Sequence, residues 1–205
     1  GHIKQVFLIT AFCNFGGELY PAWQSDPKLA GGGVLLHNCY QLIDQMVWNF
    51  GVPQQVYSLN GSIAGDKQQR LYLTEDIAVV AMKFSDTIIG NIIASRVFGP
   101  KQEFLKIYDK DKILTISNNR FTVSDNLGQV SQELEYDDDQ LAWMGKLLEN
   151  FALSILSPEE NKLCSSGRDN LKSMAVIESA YLSARTGMPE EPGRIMQMVA
   201  GTNQI

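Results

Sequence analysis

Ile77-Ala78-Val79-Val80-Ala81-Met82 and Ile88-Ile89-Gly90-Asn91-Ile92-Ile93 decide the fold. Both runs are short and rich in β-branched residues, and a polar turn at Ser85-Asp86 parts them. A turn that short joins antiparallel strands, because parallel neighbours need a crossover of a dozen residues or more. Both runs are apolar at nearly every position. A sheet with one wet face alternates apolar and polar residues, so these strands are expected to be covered twice, by helices on one face and a second copy of the chain on the other.

Working outward, residues 77–84 and 87–97 sit in a longer stretch of strand-like texture. Residues 56–63, 103–108, 113–117, 120–123 and 130–136 read as further strands, with turns at Asp109-Lys110-Asp111, Ser117-Asn118-Asn119 and Asp125-Asn126. Residues 2–15 read as a strand carrying Ile3, Val6, Leu8, Thr10 and Phe12. Residues 20–33 read as a loop, punctuated by Pro21, Asp26-Pro27 and Gly31-Gly32-Gly33.

Residues 34–50 read as one helix, since Leu35, Leu36, Cys39, Leu42, Ile43, Met46, Val47 and Phe50 recur at spacings of three and four before the stop at Gly51 and Pro53. A second helical stripe comprises Leu141, Met144, Leu147, Leu148, Phe151 and Ile155, behind Asp137-Asp138-Asp139. A third comprises Leu171, Met174, Ile177, Ala180, Tyr181 and Ala184, capped by Ser166 or Asp169 and ended by Gly187 and Pro189. The sum is one α+β domain over residues 1–205, a large and mainly antiparallel open sheet with helices packed on one face.

The formal net charge of −6 gives the chain no electrostatic attraction to nucleic acid or an anionic membrane. No apolar run reaches the roughly 18 residues of a spanning helix, and the start lacks a secretory pattern. Cys13, Cys39 and Cys164 are odd in number and far apart, with no CxxC pair. Neither a disulfide framework nor a zinc site is expected, and the cysteine usage fits a reducing, cytoplasmic compartment. A start at Gly1 without Met is expected of a fragment that begins at a domain boundary.

His37, Gln41 and Asp44 fall at spacings of four and three, which would put them on one face of the predicted helix, opposite its apolar stripe. Gly32 and Gly33 allow a ligand close to the backbone, and a helix N-terminus offers unpaired N–H groups. Such a polar stripe suits a polyol or sugar; the same spacing also describes a solvated helix face. Trp23 reads either as a stacking platform for a sugar ring or as packing, and Glu75-Asp76 either as a solvated strand edge or as an acid/base pair. No GxGxxG or GxxxxGK[ST] fingerprint for a nucleotide appears, and no GxSxG elbow. With His2 and His37 as the only histidines, a His-rich metal site is excluded.

Trp23-Gln24-Ser25-Asp26-Pro27-Lys28-Leu29-Ala30-Gly31-Gly32-Gly33-Val34-Leu35-Leu36 and Trp48-Asn49-Phe50-Gly51-Val52-Pro53 resemble the Gfo/Idh/MocA oxidoreductase family. The resemblance continues through Thr74-Glu75-Asp76, the hairpin from Phe84 to Ser95, Ile107-Tyr108, Ser166-Gly167-Arg168-Asp169 and Glu178-Ser179-Ala180-Tyr181-Leu182-Ser183-Ala184. It covers the C-terminal domain only, and the family's N-terminal Rossmann domain has no counterpart here.

The resemblance implies a substrate pocket, an open sheet that packs on a second subunit, and NAD or NADP held by the nucleotide-binding half. It implies a sugar, cyclitol or related hydroxy compound as substrate. The family's usual Asp, His and Asp fall on His37, Gln41 and Asp44, so two of the three positions depart from the pattern. Gln41 cannot act as a general base, whereas a histidine at position 37 can transfer a proton near neutrality. Gln24 stands where the family often has an arginine. The chain alone is expected to be inactive. The alternatives are a redox-inactive carbohydrate-binding or scaffold member, and an NAD-dependent glycoside hydrolase of the same fold.

Overall fold

Eight strands form one sheet in the order β2-β3-β4-β1-β5-β6-β7-β8 in a computed structural model that describes residues 5–16, 21–63, 74–117, 119–136 and 139–202. They are β1 (Val6–Asn14), β2 (Gln55–Gly61), β3 (Ile77–Lys83), β4 (Ile89–Ser95), β5 (Gln102–Asp109), β6 (Lys112–Ser117), β7 (Arg120–Asp125) and β8 (Val130–Glu135). The helices are α1 (Pro27–Ala30), α2 (Val34–His37), α3 (Tyr40–Phe50), α4 (Gln140–Leu156), α5 (Gly167–Thr186) and α6 (Pro192–Thr202). The expected positions of His2, Ile3 and Tyr20, the turn at Asn118 and the acidic pair Asp137-Asp138 lie outside the described residues.

The sheet is antiparallel at every junction except one. β1 inserts between β4 and β5, parallel to β4 and antiparallel to β5. The connection between those two neighbours, residues 96–101, must therefore pass the end of β1. Phe15 N–H donates to the Ser95 carbonyl at 2.9 Å, and Asn14 Nδ2 donates to the Pro100 carbonyl at 2.8 Å. A Cβ on Gly16 would collide with the carbonyl groups of Phe98 and Gly99. The crossing works because residue 16 has no side chain.

Burial alternates along β3 and β4, although their sequences do not. Ile9, Ala11 and Cys13 of β1, Ala78, Val80 and Met82 of β3, and Ile92 and Ala94 of β4 form one core with Leu42, Ile43 and Met46 of α3 and Val176, Ile177 and Ala180 of α5. The register lines up Leu59, Val79, Ile93, Phe12 and Phe104 across β2, β3, β4, β1 and β5 on the other face. Val79 and Ile93 there are 45% and 42% exposed. Among the described residues, helices thus cover one face, and apolar residues of the second face are exposed.

Three local expectations change. The helix over 34–50 is interrupted at Asn38-Cys39, where Cys39 sits at φ −102, ψ 0 and its N–H bonds to the Val34 carbonyl. Cys39 still points into the core, so the apolar spacing runs through the break unbroken. The loop over 20–33 contains a 3-10 turn, Ala22–Ser25, as well as α1. α6 lies beyond the predicted stop at Gly187 and Pro189, begun by a proline that suits the first turn of a helix.

Of the other helices, α5 follows its cap and stop signals, but of its expected stripe Ile177 and Ala180 are buried while Leu171 and Met174 are exposed. Ser166 and Asp169 cap it reciprocally, and Gly187 ends it in the left-handed region at φ 71. The stripe of α4 does not join the core: Leu141, Met144, Leu147, Leu148, Phe151 and Ile155 are all exposed.

Gly16→Ala is expected to lower unfolding free energy by about 1–3 kcal/mol, the usual cost of forcing a methyl into a filled site. Urea unfolding at unchanged m-value measures it; an unaltered midpoint would mean that the crossing has slack.

Candidate substrate-facing site

The first turn of α2 is built on Glu75. Its carboxylate accepts from Gly33 N–H through Oε2 at 2.8 Å and from Leu35 N–H through Oε1 at 3.0 Å, and its carbonyl accepts from Val34 N–H at 3.0 Å. One residue takes up three successive amides at a helix start, where four would otherwise lack partners and the dipole favours negative charge. The expected unpaired N–H groups at 33–35 are thus occupied by the protein itself. Glu75 is not the solvated strand edge that its neighbours in sequence suggest.

Tyr181 of α5 completes the clamp. Its hydroxyl donates to Glu75 Oε1 at 3.0 Å and accepts from Gly33 N–H at 3.2 Å. Burial pushes the Glu75 carboxyl above the ordinary glutamate range, against the pull of its hydrogen bonds. Burial, followed by the Glu75 charge, pushes the Tyr181 hydroxyl well above the ordinary phenol range. A Cβ on Gly32 would strike the Tyr181 ring, and one on Gly33 would strike Glu75.

Asp76 is likewise internal. It receives Arg96 Nε at 2.8 Å, while Arg96 Nη2 donates to Thr74 Oγ1 at 2.8 Å. Thr74 Oγ1 in turn donates to the Gln24 carbonyl at 2.8 Å, and Thr74 N–H donates to the Ser25 carbonyl. This buried chain ties the turn carrying Trp23 and Gln24 to the sheet.

Trp23 and His37 meet edge to face, with ring centroids 5.8 Å apart and an interplanar angle of 83°. His37 N–H bonds to the Gly33 carbonyl at 3.0 Å. Its Nε2 is enclosed and has no hydrogen-bond partner among the described residues, and the same holds for Gln24 Oε1. Gln41 is exposed in the first turn of α3. Asp44 faces α5 and accepts from Ser173 Oγ at 2.6 Å. The helix break removes the continuous spacing that grouped His37, Gln41 and Asp44. A cleft of 640 Å³ lined by Gly31, Gly32, Asn60, Glu75, Glu178 and Tyr181 includes neither Trp23 nor His37.

All three cysteines are free thiols. Among the described residues no three His, Cys, Asp or Glu side chains gather as metal ligands, and no helix is long and apolar enough to cross a membrane.

Residues 1–191 match the oxidoreductase family, C-terminal alpha/beta domain, and the chain belongs to that family. No curated protein sequence matches it. Among solved structures, levoglucosan dehydrogenase in complex with NADH and levoglucosan superposes with a TM-score of 0.76 at 11% identity, over 92% of this chain and 59% of that one. Aldose-aldose oxidoreductase from Caulobacter crescentus complexed with glycerol gives 0.73 at 18% identity, over 92% and 56%. An oxidoreductase from Agrobacterium radiobacter with NAD+, L-tartaric acid and magnesium gives 0.71 at 16%, over 94% and 58%. Such identities show the fold, and the chain spans less than two thirds of each of these proteins.

Glu75→Gln places an amide N–H2 against a backbone donor and is expected to destabilise the fold by about 1–3 kcal/mol at pH 7. A folded-state pKa above the unfolded one contributes stability that is full below the unfolded value and is lost as pH rises through the folded one. The advantage of the unaltered chain over the Glu75→Gln variant should therefore shrink as pH rises from about 4.3, the unfolded glutamate value. Paired denaturant titrations across pH measure this; an advantage that grows with pH would contradict the burial-dominated shift.

Proposed function

We propose that this chain is the substrate-binding and oligomerisation domain of an NAD- or NADP-dependent oxidoreductase acting on a sugar, cyclitol or related hydroxy compound. The observation that carries the reading is His37 Nε2, enclosed beside Trp23 and without a partner. A buried ring nitrogen left unpaired costs free energy unless a ligand meets it. The nicotinamide supplies or accepts the hydride when the nucleotide-binding half holds it. The chain carries no nucleotide fingerprint of its own, so its residues are assigned only to the substrate.

His37 takes or returns the carbinol proton through Nε2. Trp23 packs against the apolar face of the ring, and Gln41 donates to a substrate hydroxyl from the start of α3. Asp44 orients α3 through Ser173 Oγ. Gly32 and Gly33 hold α2 in place by letting Glu75 and Tyr181 close on the loop. Levoglucosan and glycerol in related folds support a polyhydroxy ligand. The open face carrying Leu59, Val79, Ile93 and Phe12 supports a second copy as its cover, since an exposed apolar patch of this breadth marks an interface.

In the domain joined to its nucleotide-binding half, His37→Ala is expected to lower kcat by roughly 10²–10⁴-fold, the range of general acid-base catalysis, at unchanged Tm. A kcat within a factor of two would remove the role from His37. Ile93→Glu is expected to dissociate the assembly without unfolding it, read as a fall in sedimentation coefficient. An unchanged coefficient would place the interface elsewhere.

A further inference from the structure

We infer that the exposed apolar stripe of α4 is the seat of the nucleotide-binding half, so that this one helix docks that half beside the start of α3. The inference rests on the function proposed above and adds where the two halves meet.

Leu141, Met144, Leu148, Phe151 and Ile155 follow one another at spacings of three, four, three and four, the pattern of a helix that packs along another helix. All five are exposed, and Leu148 at 63% and Phe151 at 52% lie well inside α4, away from its ends. A single exposed leucine is ordinary, whereas a contiguous apolar stripe marks a surface made to be covered. The helical period puts Lys146, Glu149 and Asn150 on the other side. That polar side is the one that meets the chain: Asn150 Nδ2 donates to the Lys162 carbonyl at 3.1 Å, and Asn150 Oδ1 accepts from Cys164 N–H at 2.9 Å. The stripe is turned away from this returning segment.

The same segment fixes where α4 stands. Just past Cys164, Ser166 caps α5, and Asn170 in the first turn of α5 accepts from the Tyr40 hydroxyl. Tyr40 opens α3, and Gln41 follows it. α4 is thus tied, through Asn150, residues 162–164 and Asn170, to the end of α3 on which the proposed substrate contacts stand. The nucleotide-binding half must come to that end, because a hydride passes only between groups in contact and this chain has no nucleotide fingerprint of its own. The chain spans 56%, 58% and 59% of three of its relatives, so each has a large remainder to seat. A second copy on the open sheet face lies across the sheet from α3. An anionic membrane surface is met by basic residues, and α4 carries Lys146 alone, opposite the stripe, in a chain of net charge −6.

Hydrogen exchange of the backbone amides of α4 tests this, in the chain alone and in the full polypeptide that joins it to its nucleotide-binding half. Exchange is expected to slow by about tenfold or more on joining. Leu148→Glu is expected to leave the Tm of the chain alone unchanged, because the stripe is bare there. In the full polypeptide the same substitution is expected to abolish the slowing while NADH or NADPH still binds. Equal exchange in the two, with NADH or NADPH bound by the full polypeptide, overturns the inference and leaves the proposed function standing. Slowing already present in the chain alone and growing with its concentration assigns the stripe to a second copy and overturns the inference too. A full polypeptide that binds neither NADH nor NADPH overturns the proposed function, and this inference with it.

Discussion

Three adjacent backbone amides at 33, 34 and 35 converge on one residue, Glu75, about forty positions later in the chain. Each would cost about 1–3 kcal/mol if buried without an acceptor. The same carboxylate meets Tyr181 of α5, so the glycine loop, the start of α2, the residues leading into β3 and α5 meet at a single half-buried carboxylate. His37 stands at the end of the helix that this contact starts. The glycines at 32 and 33 belong to the same constraint, since side chains there would displace Tyr181 or Glu75. They make room for the protein's own groups, and Gly32 also lines the cleft beside Tyr181. Gly31 is different: it closes α1 in the left-handed region at φ 74.

Much of the sheet was legible because strand texture is local. Short turns between β5, β6, β7 and β8 gave the meander, and each pairing holds. The place of β1 was not legible, because nothing in residues 6–14 states which strands flank them. The double apolarity of β3 and β4 marks two faces that shun water, and the described residues bury only one of them. The break at Asn38-Cys39 escaped because Cys39 keeps its place in the core and so preserves the apolar spacing.

Spacing alone groups His37, Gln41 and Asp44 on one face of a helix, and the resemblance gives that face its substrate-side meaning. The structure divides these residues among a ring contact with Trp23, an exposed helix start and a bond to α5. A carboxylate at a strand mouth reads as solvated, so nothing local in the sequence marks Glu75. Its partners are fixed by tertiary contact, and only the need of Gly32-Gly33 for a close neighbour hinted at it. Gln24 carried a hint as the missing arginine, but its enclosed, unpaired oxygen became visible only once the turn was tied to Thr74.

The insertion of β1 also dictates a timetable. It is the first strand of the sequence, yet Leu8 pairs with Ile89 on one side and Tyr108 on the other. On a ribosome the nine residues of β1 emerge long before either neighbour exists. Most of the chain must be made before the centre of its sheet can close, and pairings so distant in sequence are slow to form. Until then Val6, Ile9, Ala11 and Cys13, all buried in the finished core, have no lasting cover. Synthesis order and sheet order thus conflict most at the centre of the sheet, where an early misstep would propagate furthest.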